Sequence, residues 1–502
     1  MFKRILSMLI FFIFISCNNI NETSVVYNLG NKPQTIDPHQ FTEMLSVQLI
    51  STTNEGLLRQ DKDGNFIHAL AFEFSEKGNT LIFKIRKDAK WSDGSNVTAD
   101  DVVFGFKRAL NKKTAARFAE LLFPIKNAVK YNKGEVSENE LGVISKNDTV
   151  IITLEKPTPY FKHILKMPIA FPVKNGINTD IHDFKTALYN GPFIITQMND
   201  DKIVLKKNRY YWDKKNIKID KIIYTTINKF EVVENLIKNN EIDMSRVEPF
   251  DLDTKRKNKE LINYQNGRIW YLDFNLKNEI LSKKENRKAI NEAIDREKYV
   301  KDIKLDGSTV AKSVISSVFN SYRNMYPDNS YFFDNKKSSL LEGKSIRLLA
   351  GNSTAEVKEA SFIQEELRRK LNLKVNVQIV TFKERLALTR SGNYDIVLNT
   401  YSPKFDDPIS MLDRWNRPNK NNYHIWKQKE YENLILAIEN ETNTNKRFEL
   451  INKAEKILID DVIIAPLYYS TENWYIRKNI KNVIIHPIST RIDVFKLIRE
   501  NK

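Results

Sequence analysis

Apolar residues recur at every second position between Asn79 and Arg86, which places Leu81, Phe83 and Ile85 on one face of a half-exposed strand. Two other segments of the first half alternate in the same way and also predict strands: residues 149–156 and residues 202–207. The first half of the chain therefore favours strands and loops, with few helices.

One helix of this half is predicted to begin after Thr98. The Thr98 hydroxyl can accept a hydrogen bond from the free N–H groups of the first turn, and Asp101 stands at the third position of a capping box. The apolar residues that follow recur at helical spacing and form one stripe: Val102, Val103, Phe106, Ala109 and Leu110.

The second half alternates between strand and helix patterns. Strands are predicted at residues 345–350, 375–379 and 395–399, and helices between them at residues 354–371 and 382–389. This order is typical of a parallel sheet with crossover helices. Three more helices are predicted around it: residues 286–303, 431–440 and 446–460.

The helix at residues 354–371 has a clear start and a clear face. Ser353 is predicted to cap it, with Glu356 at the third position of its first turn. Its predicted buried face is made of apolar residues at helical spacing: Val357, Ala360, Ile363, Leu367 and Leu371.

The loop at residues 401–408 follows the third predicted parallel strand. Ligands of open parallel sheets bind beyond the carboxyl ends of the strands. The loop combines aromatic rings, charges of both signs and two stiffening prolines: Tyr401, Pro403, Lys404, Phe405, Asp406, Asp407 and Pro408. Position alone leaves two interpretations open, a binding site and an ordinary surface connection.

The N-terminal residues have the layout of a secretory signal peptide. Lys3 and Arg4 precede an apolar run at residues 5–15, which is too short to cross a bilayer of about 30 Å. Cys17, the one cysteine of the chain, follows small Ser16 as in a bacterial lipobox. We expect residues 1–16 to be removed and Cys17 to carry the lipid anchor that holds the protein on a membrane. The alternative is a plain signal peptide with an incidental cysteine.

Length and charge narrow the function further. A chain of 502 residues is too long for one core and predicts two or three domains. The net charge of +17 comes from 80 basic and 63 acidic residues. Because the lysines are spread along the chain rather than clustered, we expect no nucleic-acid partner, and a basic surface also suits a protein that rests on anionic lipid headgroups.

Catalytic and metal-binding patterns are missing from the sequence. No two of the six histidines have helical ligand spacing, and neither H-E-x-x-H nor G-x-S-x-G occurs. Adjacent carboxylates such as Asp100 and Asp101 point apart on a helix or strand, so they do not form an acid–base pair. We therefore expect a protein that is not an enzyme, with no catalytic residue, no metal and no cofactor.

Several motifs together resemble the family 5 solute-binding proteins, which serve oligopeptide importers of the ABC type. The most specific is residues 90–94, K-W-S-D-G, followed by V-T-A-D-D-V-V-F at residues 97–104. The others occur in the expected order: residues 33–38, 55–57, 63–64, 190–193, 208–212, 241–243 and 286–296. The resemblance covers nearly the whole chain after Cys17.

The resemblance implies an α/β, two-lobed fold like that of periplasmic binding proteins, in the large three-domain type that binds peptides. Lobe I combines residues 18–53, 181–269 and 476–502, a small domain inserted in it spans residues 54–180, and lobe II spans residues 270–475. The chain crosses between the lobes twice, and the lobes close on the ligand by hinge motion.

The resemblance also implies the function. A monomeric, lipid-anchored protein captures short peptides, which lie extended and bind through their backbone, and delivers them to the permease subunits of an ABC importer. The implied ligand-binding residues are Tyr401, Lys404, Phe405, Asp406, Asp407, Tyr271, Asn275 and Trp415. Two other functions stay open: a surface lipoprotein of the same fold that acts in adhesion or sensing, and a hydrolase.

Lys404 departs from the family pattern. Oligopeptide binders carry an aromatic–x–x–Asp–aromatic loop whose Asp pairs with the amino end of the peptide, and here Lys404 takes the Asp position. A cation there repels an ammonium group, although Asp406 or Asp407 could replace the lost partner. We therefore expect an altered preference: a peptide blocked at its amino end, a peptide held by a carboxylate on Lys404, or a different ligand.

Overall fold

A computed structural model describes residues 22–176, 181–247, 260–327, 338–416, 426–488 and 491–500. The predicted signal segment and Cys17 lie outside the described residues. The strands, in chain order, are β1 Ser24–Asn28, β2 Leu58–Gln60, β3 Phe66–His68, β4 Ala71–Lys77, β5 Thr80–Ile85, β6 Val143–Lys146, β7 Thr149–Thr153, β8 Phe193–Met198, β9 Lys202–Lys207, β10 Lys221–Thr225, β11 Met244–Arg246, β12 Leu261–Phe274, β13 Thr309–Val310, β14 Ser345–Gly351, β15 Lys374–Val380, β16 Ile396–Tyr401, β17 Ile464–Ile476, β18 Ile480–Lys481, β19 Ile485–His486, β20 Arg491–Ile492 and β21 Ile498–Arg499.

The helices vary from one turn to five. In chain order they are α1 Met44–Thr53, α2 Ala99–Leu110, α3 Ala128–Lys133, α4 Phe161–Leu165, α5 Phe230–Lys238, α6 Lys284–Ala293, α7 Arg296–Lys298, α8 Asn320–Met325, α9 Thr354–Leu371, α10 Phe382–Ser391, α11 Ile409–Leu412, α12 Lys429–Asn440 and α13 Thr444–Asp460.

One mixed sheet of eleven strands runs through the molecule. Its order is β15-β14-β16-β12-β17-β11-β1-β10-β9-β8, with β13 paired to β17. Two long antiparallel strands, β12 and β17, lie side by side in the middle of this order and pair with neighbours on both sides. Their register shifts between Gln265 and Ile269, so a bulge interrupts the pairing at this point.

The predicted alternation of strands and helices in the second half is confirmed. Strands β14, β15 and β16 are parallel, with β14 between the other two, and α9 and α10 provide the crossovers. The Ser353 hydroxyl accepts from the Glu356 amide as predicted. Val357 is an exception to the predicted buried face, since 37% of it is exposed.

The predicted helix over residues 286–303 is wrong as a single helix. The structure ends α6 at Ala293 and begins a new turn after Asp295, whose side chain accepts from the Lys298 amide. The Arg296 side chain is buried and donates to the backbone carbonyls of Asn291, Ile294 and Pro466. These hydrogen bonds stabilise the interruption between α6 and α7 and connect it to β17.

A second, four-stranded antiparallel sheet, β4-β5-β7-β6, contains two of the predicted strands. Leu81, Phe83 and Ile85 are buried, while Lys84 is exposed, as the alternation predicts. Helix α2 packs on this sheet and has the predicted capping box, in which Thr98 and Asp101 each accept from the other's backbone amide.

The buried apolar residues form several separate cores. One is built from residues between 41 and 171, and another combines residues 25–49, 189–244 and 474–497. Two more lie on the β12–β17 pair and contain residues between 269 and 469. Tyr160 and Phe405 pack against the first core and also against one of the last two, so they join regions far apart in the sequence.

Candidate functional site

The loop after β16 is held in one shape by its own hydrogen bonds. Tyr401, the last residue of β16, lies opposite Ile269 of β12. The Ser410 hydroxyl donates to the backbone carbonyl of Phe405 at 3.0 Å, and the Ile409 amide donates to the Asp407 carboxylate at 3.0 Å. Residues 402–408 therefore turn directly into α11.

Asp407 is a structural residue of this loop. Its carboxylate is buried and accepts two hydrogen bonds of 2.8 Å from the guanidinium of Arg447 on α13. This bidentate pairing neutralises Asp407 inside the protein. The structure thus gives Asp407 a partner other than a ligand ammonium group.

Asp406 points the other way, toward residues of β2 and α4. Its carboxylate accepts from the Gln60 side chain at 3.1 Å and lies 3.6 Å from the Lys166 ammonium group. Burial lowers the pKa of Lys166 to about 8, against the opposing pull of Asp406. The pKa of His163 is lowered to about 4, mainly by burial and further by the positive charge of Lys166. This histidine is therefore neutral at pH 7.

Lys404 and Phe405 face residues 120–160. The Lys404 ammonium group lies 3.8 Å from the Glu120 carboxylate, an attraction at a distance too long for a hydrogen bond. The Phe405 ring stacks on the Tyr160 ring, with centroids 4.8 Å apart and planes 15° apart. The loop therefore contacts residues 120–160 through both charge and ring stacking.

A cavity of about 390 Å³ opens between these two regions. Its volume lies in the range of small-molecule sites, roughly 300–1,000 Å³. Its lining comes from residues 120–164 on one side and residues 404–439 on the other, and includes Glu120, Tyr160, Lys404, Phe405, Asp413 and Glu439. Two of the predicted site residues, Lys404 and Phe405, thus line a cavity.

Behind the loop, the buried rings of Tyr271 and Trp415 form an aromatic group with the half-buried ring of Tyr401. The Trp415 ring meets the rings of Tyr271 and Tyr401 edge-on, each with centroids 6.0 Å apart. The Tyr401 hydroxyl donates to the Ser410 carbonyl at 3.0 Å. Burial raises the pKa values of Tyr271 and Tyr401, so both stay protonated. In this arrangement the three rings support the loop from inside the protein.

Asn275 lies away from the loop. Its side-chain amide donates to the carbonyls of Gly392 and Tyr394, which precede β16. Asn275 lies near the start of β16, whereas the loop that carries Lys404 leaves the end of this strand. The length of β16 therefore lies between the two residues, and each strand residue adds roughly 3.3 Å to their separation. The structure does not bring Asn275 together with the other predicted site residues.

Arg268 is a candidate that the sequence analysis missed. Its guanidinium donates to the Ser402 hydroxyl at 3.0 Å, from the bulged part of β12. The preceding residue, Gly267, has a φ of 75°, and a Cβ there would lie 3.0 Å from Pro403. The adjacent Asn-Gly pair was a signal for a bulge, but only the strand pairing places Arg268 beside the loop.

Two further properties bear on the class of protein. Among residues 22–500 as far as the structure describes them, no helix is both long and apolar enough to cross a bilayer. In the same part of the chain, no three histidine, cysteine or acidic side chains are grouped closely enough to hold a metal ion.

The fold is that of a solute-binding protein. The sequence model of the bacterial extracellular solute-binding proteins, family 5 Middle, matches residues 66–423, and the chain belongs to this family. The α/β fold is that of the large periplasmic peptide-binding proteins, as the motifs predicted.

Several relatives of the chain are named as peptide-binding proteins. The dipeptide-binding protein DppE of Bacillus subtilis is 28% identical over 491 residues, which cover 93% of this chain and 90% of DppE. The oligopeptide-binding protein OppA of B. subtilis is 29% identical over 499 residues, covering 92% and 90%. The substrate-binding domain of an oligopeptide ABC transporter from Bacillus anthracis superimposes with a TM-score of 0.75 at 29% identity, covering 96% of this chain and 99% of that one.

Proposed function

We propose that this protein captures short peptides outside the cytoplasmic membrane and delivers them to an ABC importer. The observation that carries this proposal is the cavity of about 390 Å³ beside the loop after β16, at the carboxyl end of a sheet strand. Two relatives that match over more than 90% of the chain are a dipeptide-binding and an oligopeptide-binding protein, which supports peptides as the ligand class.

The proposed ligand site combines Tyr401, Lys404, Phe405 and Asp406 of the loop with Arg268 of β12. Backbone groups of an extended peptide are the same in every sequence, and water in the cavity adapts to different side chains. A rigid loop next to a roomy cavity suits this kind of recognition. Asp407, Tyr271 and Trp415 support the loop in this proposal, and Asn275 has no part in it.

Native mass spectrometry of the purified protein tests the proposal. We expect a mixture of co-purified peptides of narrow length range, which denaturation releases and sequencing identifies. A protein that purifies empty and binds no member of a peptide library contradicts it. That result would favour the alternative of an adhesion or sensing lipoprotein, which the predicted place of Lys404 at an acidic position of the family's loop supports.

We propose the three-part division given above: residues 18–53, 181–269 and 476–502; residues 54–180; and residues 270–475. The separate cores support it, because each contains residues from one of these sets almost exclusively. In this proposal β12 and β17 carry the two crossings, and the bulge near Gln265 is the hinge.

We also propose that Cys17 carries the lipid anchor. The apolar run and the small residue before Cys17 support it. Replacing Cys17 by Ser should release the protein from membranes into the soluble fraction and abolish labelling by a fatty-acid analogue. A Ser7→Ala variant, altered inside the apolar run, serves as the control and should stay on the membrane. A Cys17→Ser protein that is still labelled contradicts the proposal.

A further inference from the structure

The cavity beside Phe405 has an unequal number of charges in its lining. Four carboxylates face two ammonium groups: Glu120, Glu155, Asp413 and Glu439 against Lys156 and Lys404. Counting one charge for each group, the lining has two more negative than positive charges. The whole chain, with a net charge of +17, has the opposite sign. The cavity is therefore an acidic region of a basic protein.

Both lysines of the lining are already close to a carboxylate. The Lys156 ammonium group donates to Glu439 at 2.9 Å, and Lys404 lies 3.8 Å from Glu120. The charge of Lys156 is thus matched by a bonded carboxylate, and Glu120 offsets the charge of Lys404 without a hydrogen bond. Burial raises the pKa of Tyr160, and the negative charges of Glu439 and Asp413 raise it further. This shift agrees with an acidic cavity.

Glu120 is the carboxylate best placed to meet a ligand. Its side chain is 48% exposed, and its oxygen is too far from Lys404 for a hydrogen bond. A cationic group that enters the cavity can therefore bond to Glu120 without breaking an existing hydrogen bond to Lys404. The stacked rings of Tyr160 and Phe405 add an apolar wall, and ring faces attract cations.

We propose that this cavity receives a cationic group of the bound peptide, and that Glu120 holds it. The group is an ammonium or guanidinium, and it comes either from the amino end of the peptide or from a Lys or Arg side chain. In this proposal the carboxylate comes from the wall opposite the loop, which explains how a loop with Lys404 can serve a peptide binder. The proposal rests on the proposed function, because it assigns part of the peptide to one cavity.

Calorimetric titration of the purified protein with matched peptides tests this assignment. The probes are Ala-Lys-Ala-Ala, its norleucine and glutamate analogues at the second position, and the N-acetylated form of each. We expect that removing the responsible cation weakens binding about tenfold, as for one charge pair near a protein surface. A loss on acetylation identifies the amino end, and a loss on norleucine replacement identifies the side chain.

Variants of the two walls complete the test. Glu120→Gln should remove the preference for the cation, and Glu120→Asp should keep it. Glu73→Gln is the matched control, because Glu73 also pairs with a lysine, Lys84 at 2.9 Å, but does not line the cavity. If all peptides bind equally, if the glutamate peptide binds most tightly, or if Glu120→Gln leaves the preference unchanged, this inference is overturned while the proposed function stands. If no peptide binds, both are overturned.

Discussion

Lys404 is the residue at which the sequence analysis predicts a departure from the pattern of the family. Its ammonium group lies 3.8 Å from Glu120, and its neighbours Asp406 and Asp407 are both engaged by other residues. The three residues share one loop, but each has a different partner. The charge that this loop presents to the cavity therefore depends on each residue separately. We expect that a single substitution can change which ligand the cavity accepts.

A Lys404→Asp variant should bind free-amino peptides about tenfold more tightly than the unmodified protein. The substitution removes a cation from the cavity and adds an anion, and two charges about 4 Å apart interact by roughly 1–4 kcal/mol depending on the local dielectric. Affinities for one free-amino peptide and its acetylated form measure the change. Lys113→Asp, an exposed charge reversal elsewhere, is the control. Equally tight binding of the free-amino peptide by the unmodified protein would contradict this expectation.

Asp493 supplies a prediction about acid stability. Burial raises its pKa, but the charges of Arg491 and His486 outweigh burial and hold the pKa at about 2, below the usual 3.8. A carboxylate with a lowered pKa stabilises the fold above pH 3.8, and this contribution is lost as the pH falls toward 2.

Between about pH 5 and pH 2, the unmodified protein should therefore lose about 2 kcal/mol of unfolding free energy through Asp493. An Asp493→Asn variant lacks this part of the pH dependence. Urea unfolding of both proteins at the two pH values measures the difference. Asp88→Asn, at an exposed carboxylate, should behave like the unmodified protein. Parallel losses in all three proteins would show that Asp493 has no such role.

At the scale of elements, α13 determines the shape of the loop after β16. Both outer guanidinium nitrogens of Arg447 on α13 donate hydrogen bonds to the Asp407 carboxylate. The Nε of Arg447 donates to the Ile438 carbonyl near the end of α12. One side chain thus joins two helices and the loop. The loop keeps its shape because these elements pack together.

An Arg447→Gln variant should lose about 3 kcal/mol of unfolding free energy, because it leaves the Asp407 carboxylate buried without its partner. A double variant with Asp407→Asn should recover part of the loss. Chemical denaturation measures both. Arg368→Gln, which breaks an exposed ion pair on α9, should change stability by less than about 0.5 kcal/mol. A loss as small for Arg447→Gln would mean that the buried pair contributes little.

Elements with local signals, and the parallel sheet that their order implies, were predictable from the sequence, but side-chain contacts between distant segments were not. The cap of α2 depends on Thr98 and Asp101, three residues apart, so the sequence alone locates it. The break after Ala293 depends on a bond from Arg296 to Pro466, which no local pattern indicates. For the same reason the loop after β16 was predicted, while Glu120 and Arg268, which reach it from other parts of the chain, were missed.

At the scale of the whole molecule, contacts across the cavity join segments that are distant in sequence. The Tyr160–Phe405 stack, the Lys156–Glu439 pair and the bonds of Asp406 all connect residues 54–180 with residues 270–475. Each contact is small, but together they hold the two sides of the cavity in one arrangement. A ligand between the sides is expected to strengthen this arrangement by adding contacts to both.

Small-angle scattering should show that the radius of gyration decreases when peptide is added. A Phe405→Ala variant should bind peptide about tenfold more weakly. An aromatic pair contributes about 0.5–1.5 kcal/mol beyond the area it buries, and its loss favours the separated arrangement. Phe72→Ala, at an exposed ring on β4, is the control and should change neither quantity. A radius that stays constant on saturation with peptide would rule out ligand-driven closure.

The pairing of β12 with β17 limits how the two sides of the cavity can move. Two strands bonded side by side resist sliding and separation, because either motion breaks their ladder, whereas the bulge near Gln265 already lacks part of it. We therefore expect relative motion to occur mainly as bending at this bulge. In the proposed function, an importer that contacts this protein would need to sense only the angle of this bend to distinguish the occupied from the vacant protein, whatever the sequence of the bound peptide.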